Sequence, residues 1–401
     1  MGAAATLVAP WRGLSPAVWI LVAARTVNRV GAFTLPFLGV VLTVEFGASL
    51  GQAGLVLALF GAATIPSRLL GGRLADRLGR RRTIVLGLTG CAVAQAWIAL
   101  SSSLWSAVLA TALLGLVFEI YEPPSQAMIA DVTEPDRRPA AYGLYSAALA
   151  AAGVLAGLLA AAISHVDLRW LFVADAFTCL ACAVLVALAL PTGEQAAPQE
   201  ARVTVWRDGR LLLLLASGTI FATLYMQLVI GLPLTLLEEG LTPSGFGIIL
   251  AVSAVVLIVA QRLVRPQRLD DFASIAIGYV LLGVGLLISA FAQSLAIFLL
   301  ATVFWSLGDL FLLTRYLTQA SGLAPDHARG RYLAVFGLSW GIATMIAPIT
   351  VTKLLELAGP KGLWLTSAAL AVVLAILQPW FRKRLTRVPA SCPTDRRAAL
   401  N

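Results

Sequence analysis

Several ionisable residues in this chain stand where the surrounding sequence offers them no water. Arg25 and Arg29 lie one helical turn apart in an apolar stretch, and Glu119 and Glu122 lie three residues apart in another. Asp175 and Asp309 interrupt two more. A charge in hydrocarbon costs about 2.5–3.5 kcal/mol on insertion scales unless it faces a partner or water. Such residues could form a static ion pair that supports folding, or they could bind a charged ligand. They could also carry a proton. Loss of water favours the neutral carboxyl and a nearby arginine favours the ionised one, so a carboxylate between them can titrate as water access alternates. A second group, Gly72, Asp76, Arg77, Gly79, Arg80 and Arg81 within GRLADRLGRR, combines turn-forming glycines with an acid and a basic run. There the glycines permit close helix approach and a tight turn, and Asp76 offers a carboxylate to arginines or to a helix N-terminus. Such a basic run after an apolar segment could also serve topology alone.

The elements that must position these groups are membrane spans. The chain is 59% hydrophobic and 12% charged, with mean hydropathy +0.89, about half the charge of a soluble domain. Apolar segments of membrane length recur nearly end to end and predict spans at 17–44, 52–72, 82–101, 104–132, 139–163, 168–190, 211–237, 244–264, 271–291, 294–322, 328–357 and 361–381. The expected fold is therefore all-α and integral to the membrane. Of the loop Lys and Arg, only Arg169 and Lys361 fall on one side, which makes the other side, with both termini, cytoplasmic. Trp19, Trp97, Trp105, Trp170, Trp364 and Trp380 sit near span ends, where amphipathic rings anchor at the interface.

The polar interval 191–210 divides six spans from six. The expected organisation is an N-terminal half at 1–190, a cytoplasmic linker at 191–210, a C-terminal half at 211–381 and a basic cytoplasmic tail at 382–401. The second part of the linker, with Val203, Val205 and Trp206 among arginines, could lie on the membrane surface or be a plain tether. A shift of 190 residues aligns Pro135-Asp136 and Tyr142 with Pro325-Asp326 and Tyr332, and places Glu119 over Asp309. That sparse match agrees with parallel halves around a midplane cavity.

GRLADRLGRR between the second and third spans resembles the G-x-x-x-D-R-x-G-R-[RK] signature of the major facilitator superfamily. Further matches are EPPSQA at 122–127, EPDRRPAAYG at 134–143 and APDHARGRY at 324–332, which are similar to elements of its drug/proton antiporter members. The resemblance covers about residues 17–385. It implies twelve helices in two pseudo-symmetric six-helix bundles around a central cavity lined by spans 1, 4, 7 and 10, with alternating access by rocking. It also implies a cytoplasmic latch at the basic turn. The corresponding second-half segment, QRLVRPQRLDD at 261–271, lacks the glycines, so the latch is asymmetric. Exporters of this kind commonly carry Gly-x-x-x-Gly-Pro in span 5, but here Gly153 and Gly157 are followed by Leu158, and a proline bend falls at Ala347-Pro348 instead.

The leading expectation is a proton-coupled exporter of an amphipathic small molecule, a drug or natural product, working as a monomer among membrane lipids in a bacterial inner membrane. Its proton and substrate pathway would use Arg25, Arg29, Glu119, Glu122 and Asp309, with Arg29 and Glu119 at matching depth. Glu119 and Glu122 would share one helix face. Phe33, Phe37, Tyr121, Tyr225, Phe304 and Trp305 would supply aromatic walls. Arg315 lies nearly two turns from Asp309, and Asp175 suits helix packing or hydrogen bonding as well as a proton path. The alternatives are proton symport or facilitated uptake of a polar metabolite, and, from another class, a membrane receptor or intramembrane enzyme.

Nucleotide-driven machinery is disfavoured by the lack of a phosphate-binding Gly-x-x-x-x-Gly-Lys loop, and an intramembrane enzyme by the lack of a Ser/His/Asp or paired-Asp constellation. No cofactor or metal is expected: His165 and His327 sit alone, and Cys179-x-x-Cys182 in an apolar span suggests small buried hydrophobes. Cys91 is likewise apolar in setting, and Cys392 lies in the tail, so no disulfide framework emerges. The net charge of +9 resides in short loops and in RKRLTR at 382–387, which suits anionic lipid and not nucleic acid. The first 16 residues lack a basic region ahead of a cleavable apolar core, so no removable signal peptide is expected.

Overall fold

Prolines, glycines and capping side chains divide the apolar sequence into helices. The computed structural model describes residues 13–134, 137–190, 205–242, 244–263, 270–323 and 329–386. Helix α1 (Pro16–Val30) begins on a proline, whose missing amide hydrogen costs nothing in a first turn. The chain bends through Gly31–Phe33 and resumes as α2 (Thr34–Val44), so the first span is a membrane-length stretch with a break inside it. Helix α3 (Leu50–Leu78) opens on a reciprocal cap: Ser49 Oγ accepts the Gln52 amide, and Gln52 Oε1 accepts that of Ser49. Gly79, at φ 83°, ends α3 and starts α4 (Arg80–Leu100), a conformation that a side chain would strain.

The fourth span is also interrupted. Pro123 and Pro124 offer no amide to the carbonyls four residues back, and the helix breaks just ahead of them into α5 (Leu104–Phe118) and α6 (Glu122–Asp131). Next come α7 (Arg138–Ser164) and α8 (Arg169–Ala189), then a 3₁₀ turn at Val205–Arg207. The chain continues through α9 (Gly209–Glu238), α10 (Ser244–Leu263), α11 (Asp271–Ala290), α12 (Leu295–Leu323) and α13 (Arg329–Leu385). Helix α13 turns at Gly359, φ 64°. Among the described residues, ten helical stretches are long and apolar enough to cross a membrane, and Ser244–Ala260 adds a shorter apolar helix. The last of the ten, Val335–Leu385, has 51 residues, more than twice the ~20 that one crossing needs. The chain is a multi-pass, all-helical membrane protein.

Helices α1, α4 and α7 pack on α8 or on one another's neighbours, and α9, α11 and α12 pack with α13. The links between these two sets are α7 on α10, α3 on α13 and α2 on α9. Glycine makes the first two close. A Cβ on Gly157 would lie 2.5 Å from the backbone of Gly247 and Ala251, and one on Gly61 would lie 2.7 Å from Met345 N. Along α2, every residue from Pro36 to Leu42 is buried, as is nearly every residue of α9 from Met226 to Leu236. Phe37 meets Phe246 of α10 edge-on there, with ring centroids 5.6 Å apart. At the other end of the same spans, α1 and the first turns of α9 are buried only at helical intervals. The two sets therefore meet most fully at the end bearing Phe37.

Trp19, Trp97, Trp105, Trp170 and Trp380 are exposed near helix ends, but Trp364 is fully buried and is no interfacial anchor. Its ring fills the notch left by Gly231, where a Cβ would lie 3.3 Å from Trp364 Cη2. Several expectations fall outside the described residues: linker positions 191–204, Pro135-Asp136, Pro325-Asp326, His327, positions 264–269 of the second-half loop, and Cys392 in the tail.

Candidate functional site

The two interrupted spans bring opposite charges together where the second of them breaks. Arg25, buried on α1, donates through Nη1 to Asn28 Oδ1 at 2.8 Å and through Nε to Tyr145 Oη at 3.2 Å. Its Nη2 pairs with Glu122 Oε2, and its guanidinium lies 4.7 Å from the centre of the Tyr121 ring. Glu122 is the first residue of α6, where the helix N-terminus also favours a carboxylate. The Glu122 side chain is 24% exposed against 11% for Arg25, so the acid is the more accessible member of the pair. The network continues inward. Asn28 Nδ2 donates to Cys179 Sγ at 3.2 Å, and Cys179 reaches Asp175 Oδ1 at 3.6 Å. Cys179 is thus a polar link between α1 and α8, more than the small hydrophobe that its neighbours suggested.

Glu119 does not pair with Arg29. Its carboxylate accepts from Arg68 of α3, Nη2 at 3.0 Å and Nε at 3.2 Å, and its amide donates to Ser67 Oγ at 3.0 Å. The equal depth of Arg29 and Glu119 is not enough, because α3 docks directly on the end of α5 and delivers Arg68 first. Glu119 and Glu122 do not share a face either. The break at 119–121 removes the helical spacing, and the two acids serve different arginines on different helices. Arg29 remains exposed in the last turn of α1, with no ion pair among the described residues. It lies within electrostatic reach of Tyr225 on α9, as does Asp309.

Asp309 of α12 is buried at 2% exposure, and its Oδ1 has no hydrogen-bond partner among the described residues. One turn earlier, the Nε1 of buried Trp305 is also unpartnered. Arg315 pairs not with Asp309 but with Asp271 at the start of α11, at 2.6 Å. Of the expected aromatic walls, Tyr121 packs on Arg25 and Tyr225 packs edge-on against Trp340, with centroids 5.2 Å apart. Phe304 is half-buried. Phe33 and Phe37 are core residues: Phe37 is closed against Phe246, so neither lines an open cavity in this conformation. An aromatic stack of Phe221, Tyr316 and Phe336 continues beside Tyr225 and Trp340.

The basic turn shows only part of the expected latch. Arg80 pairs with Asp131 at the end of α6, and Arg81 donates to the carbonyl of Ala187 in α8, so the turn holds α4 to the ends of two neighbours. Asp76 is exposed, with no ion pair among the described residues, and a Cβ at Gly72 would meet nothing within 4 Å. In this conformation Gly79 forms the turn, and among the described residues neither Gly72 nor Asp76 makes the contact that a latch needs.

Asn28, Arg68, Tyr145 and Trp340, none of them a candidate from the sequence, complete the site together with Cys179. Arg68 met the same criterion as its partner, an ionisable residue inside an apolar helix; Asn28 was visible three residues from Arg25. Tyr145 and Trp340 carried no signal short of the packing. Among the described residues, no group of His, Cys, Asp and Glu could hold a metal ion.

The sequence profile of the Major Facilitator Superfamily matches residues 14–269 and 268–398. The chain is similar to the MFS-type transporter YqjV of Bacillus subtilis (strain 168), 23% identical over 82% of this chain and 84% of that one. It is 27% identical to a Na(+), Li(+), K(+)/H(+) antiporter of Planococcus maritimus, covering 79% of this chain and 84% of the relative. It is 26% identical to the multidrug resistance protein MdtH of Yersinia enterocolitica, covering 75% and 78%. A POT family transporter solved with 5-aminolevulinic acid shares the fold at TM-score 0.77 and 14% identity, over 92% of this chain and 96% of the other. The chain belongs to the major facilitator superfamily and is a transporter, not an enzyme.

Proposed function

From that membership we propose a proton-coupled secondary transporter that exports an amphipathic small molecule by alternating access, sitting as a monomer in a bacterial inner membrane with both termini cytoplasmic. Its architecture is twelve spans in two six-helix halves. The ten apolar stretches, the short Ser244–Ala260 helix and the division of α13 at Gly359 support that number. The close packing around Phe37 and Phe246, on the side away from the basic loops, supports a conformation open to the cytoplasm.

The observation that carries the coupling is the Arg25–Glu122 pair. A partly exposed carboxylate at the break of the fourth span is held by a buried arginine of the first. Protonating Glu122 removes the charge that Arg25 holds, and a cationic or proton-bearing substrate can compete for the same acid. Arg68–Glu119 repeats the arrangement one turn away with a more exposed arginine. Arg29, Tyr225 and Trp340 offer a cation and aromatic faces to the substrate. The names of the antiporter and multidrug relatives support export, and Glu122-Pro123-Pro124 supports the antiporter subtype.

A second reading, proton symport of a polar metabolite, is favoured by Leu158 in place of the exporters' proline. Here Gly153 and Gly157 serve the crossing with α10, where Gly157 meets Gly247. Purified protein in proteoliposomes, screened with cationic drugs, neutral lipophiles and sugars for substrate-dependent proton movement, separates the two. Protons moving against the substrate support export, protons moving with it support symport, and substrate flux without proton movement contradicts coupling.

A further inference from the structure

We propose that Asp175 is a separate proton-binding site, occupied in this conformation, whose proton holds the break in the first span in place. Asp175 lies inside α8 at 4% exposure and forms no ion pair among the described residues. Its Oδ2 is 2.6 Å from Thr34 Oγ1 and 2.5 Å from Gln95 Nε2, and Thr34 Oγ1 is also 2.7 Å from Gln95 Oε1. Three side chains from α2, α4 and α8 therefore close a ring of three contacts, and each contact needs its own hydrogen.

The hydrogens can be counted. The Thr34 hydroxyl has one to give, yet it faces two oxygens, Gln95 Oε1 and Asp175 Oδ2. Gln95 Nε2 supplies the hydrogen to Asp175 but none to Thr34. One contact stays empty unless Asp175 is protonated on Oδ2 and donates to Thr34, which then donates to Gln95. Turning the Gln95 amide over does not change the result. Its nitrogen then donates to Thr34, Thr34 donates to Asp175, and the remaining contact sets Gln95 Oε1 against Asp175 Oδ2, so the acid must again provide the hydrogen. An ionised Asp175 leaves two acceptors face to face at hydrogen-bond distance in either orientation.

The surroundings agree. The groups facing Asp175 are Thr34 from α2, Gln95 and Cys91 from α4, and Cys179 from its own helix. On α1, Asn28 reaches it only through Cys179, and Arg25 stands behind Asn28. From α7, Tyr145 is turned to Arg25. Among the described residues no cation touches the carboxyl, and a buried carboxylate with no cation is costly where a neutral acid with every hydrogen bond made is not.

The ring also sits on a mechanical junction. Thr34 is the first residue of α2, immediately after the Gly31–Phe33 break, and the space of a Cβ on Gly31 is taken by Thr178, three residues along α8 from Asp175. When the proton passes from Oδ2 to water, one contact of the ring becomes repulsive and Thr34 or Gln95 must move away. That frees the hinge between α1, which carries Arg25 and Arg29, and α2, which closes the far end. Glu119 and Glu122 are not needed for this step.

The test is infrared difference spectroscopy on the purified full chain in lipid nanodiscs. At neutral pH, the spectrum of wild type minus Asp175→Asn should show loss of one protonated-carboxyl carbonyl band, and the same band should persist in Glu119→Gln/Glu122→Gln. Asn keeps the size and neutrality of the protonated acid, so its fold should hold. If Asp175→Asn does not fold, Thr34→Val serves: it removes one partner from the acid and should shift that band to higher frequency. A carboxylate band lost in place of the carbonyl band, or a carbonyl band unmoved by Thr34→Val, would overturn the proposal.

Discussion

At the residue scale, the two arginine–glutamate pairs differ in what their loss should cost. Arg68 is 43% exposed, so the Glu119 pair is worth under about 1 kcal/mol, and Glu119→Gln should leave thermal stability within a degree or two of wild type. Arg25 is 11% exposed and loses its carboxylate partner in Glu122→Gln, where removing one partner of a buried pair costs about 3–5 kcal/mol at full burial. The partial exposure of Glu122 and the remaining contacts of Arg25 with Asn28 and Tyr145 make the expected loss smaller, but still larger than for Glu119→Gln. Thermal unfolding in detergent reads the order, and equal losses for the two variants would refute the distinction. The presence of buried charges was legible in the sequence, because an acid in an apolar run needs no structure to be noticed. Their pairing was not. Arg29 matched Glu119 in depth, yet pairing is decided by which helix docks on the break, and that is a property of α3 and α5 together.

At the scale of elements, glycine separates tolerant positions from intolerant ones. A Cβ at Gly153 would find only Ala254 Cβ at 3.6 Å, whereas one at Gly157 would strike the α10 backbone at 2.5 Å. Gly153→Ala should therefore be silent, and Gly157→Ala should destabilise by about 1–3 kcal/mol or alter the transport cycle by forcing α7 and α10 apart. Identical thermal melting and transport for the two variants would contradict this crossing. The start of α9 offers a pH test. Burial pushes the Asp208 carboxyl up, but the Arg210 amide, the Tyr332 hydroxyl and the Arg210 charge outweigh it and hold it below the ordinary value of 3.8. A depressed acid stabilises above its unfolded value and loses that contribution as pH falls through the folded one. Asp208→Ala should thus cost about 1 kcal/mol at neutral pH as a lost helix cap, and the gap to wild type should close below pH 3.8. A gap that persists in acid would place its origin elsewhere. Most span positions were readable from hydropathy, and Pro123-Pro124 marked the fourth-span break. The first-span break was hidden, since Gly31 is one glycine among many and Thr34 looks like any helix residue until Asp175 is seen beside it.

At the scale of the whole molecule, the proposed export cycle has the basic-loop side in the cytoplasm and the Phe37 end closed in this conformation. With Cys392 replaced, the remaining cysteines, Cys91, Cys179 and Cys182, are buried, so a single introduced cysteine reports topology. Glu134→Cys should resist an impermeant thiol reagent in intact cells and react after permeabilisation, while Val166→Cys should react in both; the reverse pattern would invert the protein in the membrane. The family was legible from ten residues at 72–81, because that turn has a fixed spacing. The conformation was not, because hydropathy is the same in every state of a rocking transporter. If Glu119 and Glu122 couple substrate movement to protons, Glu119→Gln/Glu122→Gln in proteoliposomes separates substrate exchange from proton-driven accumulation. The folded double variant should still exchange substrate across the membrane but lose accumulation driven by a pH gradient; full pH-driven accumulation would contradict the account.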